Sequence, residues 1–241
     1  MLFTMKLTPE TISRITTITF DADDTLWDFE VGMWAALHQL RQDIIERADE
    51  IAQVPSVEDM NATRRSLDEE PEFQGETLSA LRREAIRRSA GAAGVGGSEI
   101  VDELFELYIS ARLENTTLYP ETEPTLAILG ERFQLGVITN ADTQPSAMGL
   151  SGQFSFAVLA DTEPFHKPDP RIFQYAASIG GYKLERSVHV GDSLVTDVAG
   201  ANNAGAVSVW LDQHGIGNSE IAVADHTIAS LSDLPGLLGI G

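Results

Sequence analysis

A run of apolar and β-branched residues that ends abruptly in carboxylates constrains this chain more than any other feature. Residues 15–20 predict a buried β-strand, and Asp21, Asp23 and Asp24 follow it directly. Because side chains two apart share a face of a strand, we expect Asp21 and Asp23 to project together from its carboxyl end. Open α/β sheets bind their ligands at that end. A carboxylate pair is therefore predicted at a ligand-binding edge.

Such a pair needs a partner. Two carboxylates about 4 Å apart repel by roughly 4 kcal/mol at an effective dielectric constant near 20, so a proton, a cation or hydrogen bonds must hold them. Mg²⁺ prefers oxygen ligands and is the simplest candidate. The alternative is an Asp-rich turn without a ligand.

Composition excludes several classes of partner. The formal charge is -21 over 241 residues, with no basic stripe, which argues against binding to nucleic acid or to an anionic membrane. There is no cysteine, so a disulfide, a thiol nucleophile and a thiolate metal site are all excluded. Without a signal-peptide pattern or a long apolar run, the chain is expected to be cytoplasmic.

The stretch after the acidic turn has a helical pattern. Helices are predicted over residues 28–51, 57–67, 76–90 and 98–114, with no strand pattern between them. We therefore expect a small helical bundle inserted into the fold, at residues 29–118.

Strands and helices alternate in the rest of the chain. Strands are predicted over residues 133–139, 154–159, 187–190 and 206–211, with helices over 121–131, 170–179 and 196–204, then a last strand and helix after Asp225. This alternation predicts an α/β core, residues 1–28 and 119–241, with a parallel sheet and helices on both faces.

Thr139 and Asn140 end the second core strand. A threonine hydroxyl and backbone N–H groups at such a turn can donate hydrogen bonds to an anionic oxygen. A plain turn or helix cap is the alternative.

Lys167 precedes Pro168, Asp169 and Pro170. The prolines start a helix and stiffen the segment, so the ammonium group is presented rigidly to a phosphoryl oxygen or a carboxylate. An exposed loop lysine is the alternative.

Gly191, Asp192 and Asp197 follow another predicted strand. Glycine lets the backbone approach a ligand, and Asp192 would face Asp21 and Asp23 if the two strands are neighbours. Asp197 could instead interact with a helix dipole.

In order, these motifs are Asp-x-Asp-x-Thr, Thr-Asn, Lys-Pro-Asp-Pro and Gly-Asp-Ser-x-x-x-Asp. Their set and order resemble the four motifs of the haloacid dehalogenase superfamily, from Asp21 to Asp197. The helical insertion falls where that family carries its first-type cap domain, on a Rossmann-like core. Asp24 departs from the pattern, since many members have glycine there.

The resemblance implies a Mg²⁺-dependent phosphatase that acts on a small phosphorylated metabolite. By that resemblance, Asp21 is the nucleophile that becomes an aspartyl phosphate, and Asp23 is the general acid and base. Thr139 and Lys167 would hold the phosphoryl group, with further contacts from Asp24, Asn140 and Trp27. Asp21, the main-chain carbonyl of Asp23, and Asp192 would bind Mg²⁺, and Asp197 would orient Lys167 or a metal-bound water.

Other branches of the family are disfavoured on the same residues. The dehalogenases lack an acid at the place of Asp23, and the phosphonate-cleaving members use a cap lysine, which residues 29–118 lack. A phosphomutase, a phospho-aspartate signalling module and a silent scaffold remain alternatives. The protein is expected to act as a monomer or homodimer.

The cap is expected to set substrate specificity. Trp27 and Trp34 are candidates for an aromatic wall, with a core position as the alternative for Trp34. Four arginines share one predicted helix and would either grip a second anionic group or pair with Glu76 and Glu84. They are Arg82, Arg83, Arg87 and Arg88.

Overall fold

Strand β1 (Thr17–Phe20), which carries the acidic turn at its carboxyl end, lies inside a six-stranded parallel sheet. In the computed structural model, which describes residues 8–217 and 222–240, the strand order is β5-β4-β1-β6-β7-β8. The other five strands are β4 (Gln134–Thr139), β5 (Phe156–Leu159), β6 (Ser187–Gly191), β7 (Val207–Leu211) and β8 (His226–Ile228). The α/β fold with a parallel sheet that the sequence predicts is thereby confirmed.

All four residues of β1 are buried, as expected for a parallel strand covered on both faces. Ile18 lies opposite Leu135 of β4 on one side and Val188 of β6 on the other. The strands that precede Thr139 and Asp192 are therefore the two direct neighbours of the strand that precedes Asp21. Three of the predicted polar positions converge on one edge of the sheet for this reason.

The helices have the bounds α1 Pro9–Ile12, α2 Phe29–Ile45, α3 Val57–Ser66, α4 Leu78–Ala92, α5 Ser98–Asn115, α6 Thr122–Gly130, α7 Pro170–Gly180, α8 Ala199–Ala204 and α9 Leu234–Leu237. Helices α6, α7 and α8 contact strands of the sheet, and helices α2 to α5 lie in a separate part of the chain. Helix α7 begins where its pattern predicts, because the Asp169 side chain accepts a hydrogen bond from the Arg171 N–H and Pro170 occupies the first turn.

Two helices differ from the sequence-based prediction. Helix α2 ends at Ile45 rather than at residue 51. Because Ile51 is 62% exposed, a longer helix would not be stabilised by burial of this side chain. The helix predicted over residues 196–204 is instead a π-helical turn, Leu194–Val198, followed by α8. That turn determines where Asp197 lies.

The chain divides into two compact units. One comprises Met1–Trp27 and Leu118–Gly241, and the other comprises Asp28–Thr117. Two-residue strands, β2 (Trp27–Asp28) and β3 (Thr117–Leu118), pair with each other where the chain crosses from one unit to the other.

The second unit contains helices α2 to α5 around an apolar core of its own. Leu40, Ile44 and Leu104 are among its most deeply buried members, and Trp34 packs against this core, in agreement with the core alternative for that residue. Within residues 8–217 and 222–240, no helix combines the length and the apolar character needed to cross a membrane.

Candidate active site

The acidic turn after β1 is held tightly by backbone hydrogen bonds. The Asp21 N–H donates to the carbonyl of Val190 at 2.8 Å, and Leu26 N–H donates to the carbonyl of Ala22 at 2.8 Å. Asp24 has a φ of 56°, in the left-handed region that glycine adopts at no cost and that Asp tolerates better than most residues. This conformation is compatible with an Asp at position 24, where glycine would also fit.

Trp27 supports Asp23 from behind the turn. Its indole Nε1 donates to Asp23 Oδ1 at 2.7 Å, and the Trp27 side chain is fully buried. The sequence suggests that Trp27 forms an aromatic wall against substrate. In this structure the ring is buried and presents no such wall. A tryptophan at this position buries its ring and uses its one polar atom to orient the acid.

Lys167 lies between two carboxylates. Its Nζ is 2.6 Å from Asp21 Oδ1 and 2.6 Å from Asp197 Oδ1, and the residue is only 2% exposed. Burial alone would lower the pKa of Lys167, but the charges of Asp197 and Asp21 raise it above its ordinary value. The alternative of an exposed loop lysine is thus wrong, and a charged ammonium group lies against Asp21.

Asn140 fixes the backbone of Lys167. Asn140 Nδ2 donates to the Lys167 carbonyl at 2.9 Å, and the Lys167 N–H donates to Asn140 Oδ1 at 2.7 Å. The sequence predicts a phosphate contact for Asn140. In this structure its amide group binds the backbone of the residue that presents the cation.

Thr139 ends β4 beside the acidic turn and is 1% exposed. Its Oγ1 accepts a hydrogen bond from the Ala141 N–H at 3.1 Å. A hydroxyl that accepts one hydrogen bond still has its own proton to donate. Thr139 is therefore equipped to donate to an anionic oxygen at this edge.

Gly191 allows Asp197 to reach the centre of the site. A Cβ atom at residue 191 would lie 2.3 Å from Asp197 Cγ, which is closer than atoms can approach. The Ser193 N–H donates to Asp197 Oδ2 at 3.0 Å across the π-helical turn. Burial opposes the charge on Asp197, but Lys167 and His189 outweigh that effect and hold its pKa well below the usual range.

Asp192 completes a group of three acids. Ligand oxygens of Asp21, Asp192 and Asp197 all lie within 4.8 Å of one another. Burial, together with the charges of Asp21 and Asp197, raises the pKa of Asp192 to about 8. Thr25 Oγ1 donates to Asp192 Oδ1 at 3.5 Å, and Trp210 Nε1 donates to its main-chain carbonyl at 2.8 Å.

This donor set fits a hard divalent cation. Mg²⁺ takes carboxylate oxygens, and a cation here would relieve the repulsion that raises the pKa of Asp192. Both oxygens of Asp197 are already engaged, Oδ1 by Lys167 Nζ and Oδ2 by the Ser193 N–H, whereas Lys167 contacts Asp21 through Oδ1. Asp21 and Asp192 are therefore the better candidates for metal ligands. The contribution of the Asp23 carbonyl stays a prediction.

His189 also belongs to the site, although the sequence motifs do not predict it. It lies in the middle of β6, between Val188 and Val190, and is 1% exposed. Its Nε2 is 3.3 Å from Asp197 Oδ1 and its Nδ1 is 2.9 Å from Thr19 Oγ1. A histidine within an otherwise apolar strand, three residues before a candidate metal ligand, was the available signal.

The arginines of helix α4 pair within their own unit. Arg87 and Arg88 bind Glu84, Arg88 also binds Glu70 at 2.6 Å, and Arg83 forms an ion pair with Asp102. This agrees with the charge-pairing alternative for these three residues, although most of the partners differ from those expected. Arg82 is different because it is buried, with its guanidinium 5.6 Å from the centre of the Phe29 ring.

Comparison with known proteins shows the family. Residues 15–205 match the family model of the haloacid dehalogenase-like hydrolases. Human N-acylneuraminate-9-phosphatase is 31% identical over 162 residues, 64% of this chain and 64% of that relative, so the match spans less than two thirds of the relative's length. The 5-amino-6-(5-phospho-D-ribitylamino)uracil phosphatase YigB of Escherichia coli is 28% identical over 205 residues, 83% of this chain and 84% of that protein.

A solved structure is similar over nearly the whole chain. It is described as a 2-haloacid dehalogenase from Pseudomonas syringae pv. Tomato DC3000, with 35% sequence identity and a TM-score of 0.78. The match covers 93% of this chain and 98% of that one. On its family match, its parallel-sheet core and the order of its motifs, this chain belongs to the haloacid dehalogenase-like hydrolases.

Proposed function

We propose that this hydrolase is a Mg²⁺-dependent phosphatase that acts on a small phosphomonoester through an aspartyl phosphate on Asp21. The observation that carries the proposal is the position of Lys167, whose ammonium group lies 2.6 Å from Asp21 Oδ1. A buried cation beside the nucleophile stabilises the negative charge of an incoming phosphoryl group. The phosphatases among the similar proteins support the same reaction class.

The first step forms one bond and breaks one. An Asp21 carboxylate oxygen attacks phosphorus, and the ester oxygen departs with its bonding electrons and takes a proton from Asp23. The Trp27 indole N–H, 2.7 Å from Asp23 Oδ1, keeps the acid directed. The products of this step are the free alcohol and an acyl phosphate on Asp21.

The second step returns the enzyme to its starting state. Asp23, now ionised, takes a proton from water as the water oxygen attacks phosphorus, and Asp21 leaves as a carboxylate. Lys167 and Thr139 stabilise the phosphoryl oxygens in both steps. When bound by Asp21 and Asp192, Mg²⁺ would supply charge neutralisation and would help to orient the phosphoryl group.

Dehalogenation is the second candidate, because the solved structure described as a 2-haloacid dehalogenase is 35% identical to this chain. In that reaction Asp21 would attack carbon and a halide would leave. A halide leaves without a proton, whereas an alkoxide needs one, so an acid at residue 23 has a task only in the phosphatase reaction. The held position of Asp23 therefore favours attack on phosphorus.

One assay set separates the candidates. Sugar phosphates, phosphoglycolate, nucleoside monophosphates and phosphorylated cofactors are incubated with Mg²⁺ or with EDTA, and inorganic phosphate is measured. Halide release from 2-chloropropionate is measured in parallel. We expect phosphate release that EDTA abolishes and that Asp21→Asn lowers at least about a thousandfold, the scale expected for loss of a nucleophile.

Other outcomes identify the alternatives. Halide release without phosphate release would establish the dehalogenase reaction. A requirement for a bisphosphate activator, with transfer rather than release of phosphate, would indicate a phosphomutase. An acyl phosphate on Asp21 that persists for hours would indicate a signalling module. We also propose that the substrate is a small metabolite, that the protein is located in the cytoplasm, and that it binds neither nucleic acid nor membranes.

A further inference from the structure

His189 is buried beside the proposed catalytic centre, and the reaction scheme gives it no role. Burial lowers the pKa of His189, which favours the neutral ring with one N–H. A buried polar ring costs free energy unless its nitrogen atoms have hydrogen-bond partners. Its two partners are Asp197 Oδ1, 3.3 Å from Nε2, and Thr19 Oγ1, 2.9 Å from Nδ1.

The contacts determine which nitrogen atom is protonated. The Asp197 carboxylate only accepts hydrogen bonds, so Nε2 must carry the hydrogen that it donates. Nδ1 then accepts the hydroxyl hydrogen of Thr19, whose alternative acceptor, the Val188 carbonyl, is more distant at 3.3 Å. In the opposite tautomer, a lone pair on Nε2 would face a carboxylate oxygen, which is repulsive.

Asp197 is thus held by donors from three directions. Lys167 Nζ and His189 Nε2 donate to Oδ1, and the Ser193 N–H donates to Oδ2. The same Lys167 Nζ donates to Asp21 Oδ1. The orientation of the Asp197 carboxylate therefore sets the position of the ammonium group that faces the nucleophile.

We propose that His189 is a positioning residue for the hydrolase reaction, because its Nε2–H fixes the Asp197 carboxylate that holds Lys167 against Asp21. The inference rests on the proposed function insofar as Lys167 is taken to stabilise the phosphoryl group. The position of Lys167 itself can be tested without that assumption.

Two amide substitutions separate positioning from packing. In His189→Gln, the side-chain amide reaches about as far as Nε2 and can donate to Asp197, whereas in His189→Asn the shorter amide reaches only the region of Nδ1. In the wild type, the rings of His189 and Phe173 make an edge-to-face contact, with their centres 5.0 Å apart. Both amide variants lose this contact. Phe173→Leu removes the same ring contact, together with some core packing, but leaves His189 and its Nε2–H in place, so it serves as the packing control.

Phosphate release is the first readout. We expect His189→Asn to lower kcat by roughly 10- to 100-fold. This is the loss found when a residue that orients a metal ligand, without binding the metal itself, is replaced. KM should change by less than about twofold, because Lys167 matters most where charge develops in the transition state. His189→Gln should recover most of kcat, and Phe173→Leu should change the melting temperature more than kcat. Equal kcat values for the two amide variants, per folded molecule, would overturn the proposal.

The ammonium group provides a readout that is independent of activity. The sequence has three lysines, Lys6, Lys167 and Lys183, so an ¹H–¹⁵N spectrum of the lysine ammonium groups is simple to assign with Lys6→Arg and Lys183→Arg. We expect a slowly exchanging Lys167 signal in the wild type and in His189→Gln, and a broadened or shifted signal in His189→Asn. A Lys167 signal that is identical in all three proteins, or absent from the wild type, would contradict the inference.

The two readouts distinguish the failure of each proposal. If the wild type hydrolyses no phosphomonoester but the Lys167 signal differs between the amide variants, the proposed function fails and the positioning by His189 stands. If the wild type is an active phosphatase and both amide variants match it in kcat and in spectrum, the phosphatase stands and the role of His189 is disproved.

Discussion

The side-chain amide of Asn140 and the backbone of Lys167 form a reciprocal pair of hydrogen bonds, of 2.9 Å and 2.7 Å. Because both peptide groups are tied to one planar amide, the Lys167 side chain starts from a fixed point. The residues are 27 positions apart in the sequence, so the pair also joins the loop after β4 to the segment before α7.

Asn140→Ala should therefore impair both stability and catalysis. It leaves a backbone donor and a backbone acceptor without these partners, which costs about 1–3 kcal/mol in the free energy of unfolding. The displaced lysine should also lower kcat. Urea unfolding and phosphate release measure the two effects. Asn140→Asp keeps one acceptor oxygen but puts a second oxygen against the Lys167 carbonyl, so full activity in that variant would refute the positioning by Asn140.

The role of Asp23 as general acid can be tested through the leaving group. Asp23→Asn should slow hydrolysis of alkyl phosphates far more than hydrolysis of p-nitrophenyl phosphate, since p-nitrophenolate leaves readily without a proton. Trp27→Phe keeps a smaller buried ring and removes the Nε1 donor to Asp23, so it should show the same selectivity more weakly, with some loss of stability from the vacated volume. Rate losses that are independent of the leaving group, in both variants, would remove Asp23 from that step.

Mg²⁺ affinity should depend on pH through Asp192. Its pKa of about 8 in the metal-free protein means that Mg²⁺ must displace a proton at lower pH. The apparent dissociation constant should fall about tenfold per unit between pH 6 and pH 8 and then level off. Isothermal titration across this range measures the slope, and Asp192→Asn should weaken binding and flatten its pH dependence.

The raised pKa of Asp192 should also make the stability of the protein depend on pH. The pKa of Asp192 is 3.8 in the unfolded reference and about 8 when folded, so the folded state binds the extra proton between these values. The stabilisation from this group is complete below about pH 4 and is lost as pH rises through 8. Mg²⁺ should therefore raise the melting temperature more at pH 9 than at pH 6. An equal increase at both pH values would contradict the raised pKa.

Gly191→Ala should disrupt the site from the backbone side. Its Cβ would lie 2.3 Å from Asp197 Cγ, so either the strand end or the π-helical turn must shift, at a cost of about 1–3 kcal/mol in the free energy of unfolding. Activity should fall with it, because Asp197 holds Lys167. Gly91→Ala is the matched control, since a Cβ there meets no atom within 4 Å and lies in helix α4, where alanine is favourable. A Gly191→Ala enzyme as stable as the control would show that Asp197 can move freely.

Most of the sheet could be predicted because its signals are local. Strands β1, β4 and β6 are mostly apolar runs with a polar residue at or directly after their carboxyl ends, and the predicted bounds of β4, β6 and β7 differ from the observed ones by a single residue at one end. The strands β2 and β3 could not be predicted, because two residues carry no periodicity. The π-helical turn was missed for a related reason, since its pattern is that of an ordinary helix start.

The charged residues of the site could be predicted from the sequence, but the roles of the residues that position them could not. Lys167 stands out in the sequence because prolines directly follow it, and Asp197 because it belongs to the Gly-Asp-Ser-x-x-x-Asp stretch after a predicted strand. The tasks of Asn140, Trp27 and His189 depend on which distant atom each one meets. Lys167 and Asp21, for example, are 146 positions apart, and no spacing rule describes such a contact.

That separation has a consequence for how the protein is made. Lys167 emerges from the ribosome 146 residues after Asp21, and Asp197 a further 30 residues after that. Until Lys167 has emerged, the Asp21 carboxylate lacks the counter-ion that it has in the folded protein, and until β6 has emerged, strand β1 lacks its neighbour on one side. A nascent chain that lacks Asp197 therefore cannot assemble this site, and hydrolytic capacity arises only after Asp197 has been synthesised.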